Sequence, residues 1–79
     1  MPLELYGSRS CPQTAELRED LEWRRQSFVE YDVEADAEAL QRMLTLTAGN
    51  RMVPVLVQDG RVAQIGWQGR GCYIGSQSK

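Results

Sequence analysis

Histidine is absent from the 79 residues, and cysteine occurs only as Cys11 and Cys72. Without histidine there is no Cys–His or Ser–His pair, which excludes protease-like nucleophilic catalysis. Two cysteines are too few for an ordinary zinc site or a disulfide scaffold, and no metal is expected. Neither sign of charge dominates, with nine Lys+Arg against eleven Asp+Glu and a net charge of −2, so no nucleic-acid partner is expected. No apolar run approaches the ~20 residues of a membrane span, and no charged-apolar-small pattern opens the chain. The expected setting is the reducing cytoplasm, where two distant thiols fit redox chemistry better than a structural staple. The length is that of one small domain over 1–79, with a frayed tail from about Gly75, because nothing after Ile74 looks buriable.

What is present organises into short elements. Leu3-Glu4-Leu5-Tyr6 alternates and stops at Gly7, a strand. From Pro12 to about Gln26 a helix is predicted, with Leu17, Leu21 and Phe28 on one side and the pairs Asp20/Arg24 and Glu22/Arg25 on the other. Phe28 to Val33 reads as a second strand. Asp36 is placed to cap a second helix whose Ala37, Leu40, Leu44 and Ala48 share a face, stopped by Gly49. Val53 to Val57 is nearly all apolar and reads as a third, central strand. Asp59-Gly60 is a hairpin signal, with Val62 to Ile65 pairing back antiparallel. The order is β-α-β-α-β-β, followed by a glycine-rich loop.

Cys11 lies between the first strand and the first helix, in Arg9-Ser10-Cys11-Pro12-Gln13-Thr14. The first N–H groups of a helix lack internal partners, and the helix dipole leaves that end partly positive. A sulfur there is stabilised as the nucleophilic thiolate. Ser10 is a candidate N-cap, Gln13 its capping-box partner, and Pro12 suits the first turn. The competing reading, a cysteine serving as a small buried apolar group, is common in proteins; the polar neighbours and the loop position oppose it. Pro54 removes a ladder donor from an otherwise buried strand. It stands either at a first strand position or after a cis Val53–Pro54 bond, which only ~5–6% of X–Pro bonds adopt.

Three segments together carry a resemblance. Cys11-Pro12-Gln13-Thr14 after a first strand resembles the Cys-Pro-x-Cys/Ser/Thr site of glutaredoxins. Leu46-Thr47-Ala48-Gly49-Asn50-Arg51-Met52-Val53-Pro54 resembles the Thr-Gly…Thr-Val-Pro segment of that family. Asp59-Gly60 and Ile65-Gly66 match its hairpin and the start of its Gly-Gly turn. The compact ending Gly66-Trp67-Gln68-Gly69 is similar to very short glutaredoxin-like proteins, some with selenocysteine at the position of Cys11. The resemblance covers residues 3 to 67. It implies an α/β thioredoxin-like fold with a four-stranded mixed sheet, a C-terminal helix short or absent, and a cis-proline facing the nucleophile.

The function implied is that of a monothiol-type thiol–disulfide oxidoreductase with Cys11 as nucleophile. Arg9, Ser10, Pro12, Gln13, Thr14, Met52, Val53, Pro54, Gly66 and Trp67 are the expected substrate contacts, with the Val53 backbone pairing to an extended substrate. Arg9 is expected to favour the thiolate. No tightly bound cofactor is expected; glutathione is the expected co-substrate, a protein disulfide the other candidate, and the chain is expected to be a monomer. There are departures from the family pattern. Thr14 replaces the second cysteine of dithiol members, Met52 the threonine before Val-Pro, and Trp67 the second turn glycine. The acidic pair after the turn and the final helix are missing, which weakens the expectation for glutathione. Cys72 is then either an incidental thiol or the resolving one, brought to Cys11 by flexible Gly69 and Gly71. Trp67 and Tyr73 either cover the sheet or line a groove beside Cys11. Two other functions stay open: a non-catalytic thioredoxin-fold binding module, and a monothiol-type iron–sulfur carrier.

Overall fold

The computed structural model describes residues 3–74. The strands are β1 (Leu3–Gly7), β2 (Phe28–Asp32), β3 (Met52–Val53), β4 (Val55–Gln58), β5 (Arg61–Ile65) and β6 (Cys72–Tyr73). The helices are α1 (Pro12–Trp23), between β1 and β2, and α2 (Ala37–Leu46), between β2 and β3. A four-stranded mixed sheet runs β2-β1-β4-β5, with β1 and β2 parallel and the other neighbours antiparallel. Parallel pairing of β1 with β2 needs a crossover, and α1 supplies it.

The sheet buries apolar side chains on both faces. On one side Leu3 and Leu5 of β1 pack with Leu17 and Leu21 of α1, and Phe28, Leu56 and Trp67 close that cluster. On the other side Tyr6, Val55 and Val57 pack with Ala39 and Met43 of α2, together with Val33, Val53 and Ile74. Alternate residues of β1 and β4 serve opposite faces because strand side chains alternate.

Local signals account for several boundaries. Asp36 caps α2 by accepting from the N–H groups of Glu38 and Ala39, and Gly49, at φ +90°, follows the helix end. Asp59 and Gly60 both have positive φ, 56° and 77°, as a two-residue hairpin turn of the type that fits strand twist requires.

Other expectations are corrected. The helix predicted to about Gln26 ends at Trp23, with Arg24 as C-cap and Arg25 at φ 60°. The Asp20–Arg24 ion pair forms at 3.0 Å, whereas a Glu22–Arg25 pair is not found among the described residues. The inward edge of α2 is Ala39 and Met43, with Leu40 and Leu44 half-buried and Ala37 and Ala48 exposed. Residues 53–57 are not one strand. The chain breaks at Pro54, so β3 and β4 belong to different sheets, β3 pairing with β6. The glycine-rich stretch after Gly66 therefore contains a strand. Gly75 and the remainder of the expected tail lie outside the described residues, and no helix follows β5 among the described ones.

Candidate active site

Four chain segments converge at Cys11: the β1–α1 loop, the start of α1, β3 and β6. The loop is built from Gly7 and Ser8. A Cβ at Gly7 would collide with the Thr14 side chain, so glycine is required where α1 packs back on the strand end. Thr14 is fully buried, and its hydroxyl accepts from the Ser8 N–H at 3.3 Å. Ser8, also buried, donates its hydroxyl to Glu34 and accepts from the Ser10 N–H at 3.2 Å. The Ser8 carbonyl accepts from the Cys11 N–H at 3.2 Å. The loop is thus locked from both sides before the cysteine is reached.

This network overturns the expected cap. The N-cap of α1 is Cys11 itself, without a side-chain cap bond, and Pro12 opens the helix. Ser10 is drawn instead to Ser8, its hydroxyl oxygen 3.0 Å from that of Ser8, so no Ser10–Gln13 capping box forms. The N–H groups of Thr14 and Ala15 go to the Cys11 carbonyl, and no carboxylate stands in the first turn of α1. No side chain of that turn therefore neutralises the positive end of the helix.

Cys11 and Cys72 are joined by a disulfide, their Cα atoms 5.9 Å apart, within the ordinary range for such bonds. Their sulfurs sit against two groups. The Gln13 side-chain oxygen is 3.7 Å from each sulfur, and the Val53 carbonyl oxygen is 3.9 Å from that of Cys11. Neither sulfur carries a hydrogen in this state, so these are contacts rather than hydrogen bonds. Cys11 is only 1% exposed, a burial that the loop position alone does not lead one to expect. β6 accounts for it: Cys72 lies opposite Val53 and Tyr73 opposite Met52.

The Val53–Pro54 peptide bond is cis. Pro54 is buried, and its carbonyl accepts from the Gly66 N–H at 2.6 Å. Gly66 has φ +82°, and a Cβ there would stand 2.8 Å from the Arg70 carbonyl oxygen. A tight turn follows, in which Trp67 and Arg70 exchange backbone hydrogen bonds of 2.7 and 2.9 Å. That turn returns the chain to β6.

The decisive comparison is with protein families. The glutaredoxin family model matches residues 3–63. The chain belongs to the glutaredoxin family. Two solved structures agree with the fold and reach beyond the match: the thioredoxin-like protein BC3987 and a point mutant of that protein. Each is 32% identical to this chain with a TM-score of 0.75, over 84% of this chain and 88% and 82% of theirs. The fold is accordingly thioredoxin-like, and a thiol-redox type of function goes with it. A comparison with curated proteins returned no match.

The expected site residues divide in the structure. Cys11, Cys72, Gln13 and Val53 meet at the sulfurs, and Pro54, Met52 and Gly66 flank them. Pro12 is exposed at the helix start. Thr14 is buried beneath the loop, its hydroxyl on the Ser8 N–H. Arg9 pairs with Asp32 at 3.5 Å on a side chain that is 90% exposed, a contact worth about 0–1 kcal/mol at most. Trp67 is half-buried on the α1 face, covering Leu3, Leu5, Leu17 and Leu21, while Tyr73 is 68% exposed. Sequence reading missed Ser8 and Glu34, which set the loop. The Ser-x-Ser spacing, typical of side-chain-bonded turns, was the available signal.

Proposed function

We propose that this chain is a thiol–disulfide oxidoreductase in which Cys11 attacks and Cys72 resolves. The observation that carries this reading is the Cys11–Cys72 disulfide, lying at the start of α1 beside the cis Pro54.

In the reduced protein, Cys11 as thiolate attacks one sulfur of a substrate disulfide, and the other substrate sulfur leaves and takes up a proton. The product is a mixed disulfide on Cys11. Cys72, as thiolate, then attacks the Cys11 sulfur, and the second substrate sulfur leaves in its turn. Two electrons pass to the substrate, which becomes two thiols, and the protein ends with the Cys11–Cys72 bond. An external thiol, glutathione or a dithiol, returns the protein to its reduced state.

The N-terminus of α1, with no carboxylate in its first turn, favours the Cys11 thiolate, and the Gln13 N–H is the first-turn amide left for it. The Gln13 side-chain amide, turned over, presents N–H to the same place; carbonyl and amino ends are interchangeable in such an assignment.

Intact mass after exposing reduced protein to a small disulfide tests the reading. Wild type is expected to lose two hydrogens and keep no adduct. Cys72→Ser is expected to retain the adduct, and Cys11→Ser to do neither. Equal reactivity of Cys11→Ser and wild type overturns the assignment of the nucleophile.

A further inference from the structure

Cys11 is 1% exposed while β6 is docked, so no external cysteine reaches its sulfur unless β6 leaves. Any cysteine that replaces Cys72 on that sulfur brings its own backbone to the space beside β3. β6 therefore serves as a template for what the site accepts, and its residues differ sharply in how tightly they are held.

Before the cysteine stands Gly71. A Cβ there would lie 2.5 Å from the Val53 carbonyl oxygen and 2.8 Å from the Met52 Cγ, so a side chain at this position is opposed by backbone. After the cysteine stands Tyr73, 68% exposed, a position open to any residue. Next comes Ile74, 4% exposed and packed in the cluster of Tyr6, Val33, Val53 and Val55. Its N–H donates to the Arg51 carbonyl at 3.1 Å. When β6 lifts, the site vacated beside Val53 is an apolar slot two residues beyond the cysteine.

We propose that β6 is a built-in occupant of the substrate strand site. The partner is an extended protein segment with glycine directly before its cysteine and an apolar, β-branched residue two places after it. This rests on the reading of Cys11 as the attacking thiol, and it adds the substrate class. The segment pairs with Met52 and Val53 in the register that Tyr73 and Cys72 hold. Its cysteine is joined to Cys11, and it departs as a thiol when Cys72 attacks Cys11 and β6 returns. Glutathione meets the first requirement through its unbranched γ-glutamyl linkage. It ends one residue after its cysteine and leaves the Ile74 slot empty.

The test uses full-length Cys72→Ser protein, reduced, and peptides whose cysteine is activated as a disulfide with thionitrobenzoate. Three peptides are compared, containing Gly-Cys-Tyr-Ile, Val-Cys-Tyr-Ile and Gly-Cys-Tyr-Ser, with coloured thiol release as the rate. The first is expected to react roughly tenfold or more faster than either of the others, since overpacking and a lost apolar contact each act on that scale. Rates for all three within about twofold of each other overturn the proposal. Failure of the underlying reading looks different: Cys11 then reacts with every peptide, and with a small aromatic disulfide, no faster than free cysteine. A second variant, Cys72→Ser with Gly71→Ala, loosens β6. It is expected to speed reaction with the Gly-Cys-Tyr-Ile peptide, and an unchanged or slower rate overturns β6 as a competitor for the site.

Discussion

Val53 and Cys72 are partners across the β3–β6 ladder, and the Val53 carbonyl oxygen also stands 3.9 Å from the sulfur of Cys11. One residue thus aligns both halves of the disulfide. The consequence is that redox state and the docking of β6 are linked: forming the bond holds β6 on β3, and breaking it leaves a two-residue ladder and Ile74 to do so.

Reduction is expected to destabilise the domain markedly. The bond closes a separation of 61 residues, for which the loss of unfolded-chain entropy corresponds to about 4 kcal/mol. Urea unfolding with and without a dithiol measures it. A difference under about 1 kcal/mol would mean that the bond does not restrict the oxidised unfolded state.

Thr14→Val is expected to cost about 1–3 kcal/mol, because it leaves the Ser8 N–H buried without its acceptor. Thr14→Ser keeps the oxygen and should recover most of that loss. The same pair of variants separates position from chemistry. If Thr14 only holds the loop, the valine variant slows the attack of Cys11 and the serine variant restores it. Loss of activity in Thr14→Ser with stability intact would contradict the placement of Thr14 beneath the loop.

How much of this is legible in the chain depends on the range over which each feature is decided. The Asp36 cap and the Asp59-Gly60 turn are settled within a few residues, and both are readable. The apolar run around Pro54 reads as one strand because hydrophobicity does not reveal which sheet each half joins. That division is made by β6, whose two residues sit among glycines and carry no strand signal until β3 is opposite them. The cap of α1 is similar: Ser10 has the right chemistry, but Ser8 and the distant Glu34 claim it. Burial of Cys11 likewise comes from the far end of the chain.

The two aromatic residues near the end, indistinguishable by composition, should separate on mutation. Trp67 packs on the Leu3, Leu5, Leu17 and Leu21 cluster, on the sheet face that α1 shares, so Trp67→Ala is expected to cost about 2–3 kcal/mol. Tyr73 is 68% exposed, and Tyr73→Ala should stay within about 0.5 kcal/mol. Thermal unfolding of the oxidised proteins decides between this ranking and its reverse.

Tyr6 supplies a pH dependence. Burial pushes its phenol pKa above the usual 10.0, with the Arg42 contact opposing and Glu4 reinforcing the rise. The neutral form is thus favoured in the folded state. Its contribution to stability is complete below the unfolded value and is lost as pH rises through the folded one. Stability is therefore expected to fall in the alkaline range above 10.0. Tyr6→Phe should flatten that part of the curve, measured by denaturant midpoint against pH. An unchanged slope would assign the alkaline loss to other groups.

Glutathione is expected to be a poorer reductant for this protein than a dithiol. Trp67 stands at the family's second turn glycine and is held against the core, so it is not free to swing onto a ligand. Arg9, the cation nearest the site in the chain, is paired with Asp32. The acidic pair that follows the turn in the family is absent, and no helix after β5 offers amides among the described residues. Each missing charge-assisted hydrogen bond is worth about 1.5–3 kcal/mol, so two or three together weaken binding by orders of magnitude. A dithiol does not depend on that pocket, because its second thiol releases the mixed disulfide from within. The measurement is the rate at which the Cys11–Cys72 bond is reduced, with glutathione and with reduced thioredoxin at equal thiol concentration. Faster reduction by the dithiol, with no saturation by glutathione in its ordinary cellular range, is the expected result. Saturable reduction by glutathione at an equal rate would show that Trp67 and the exposed Tyr73 form a pocket that replaces the missing one.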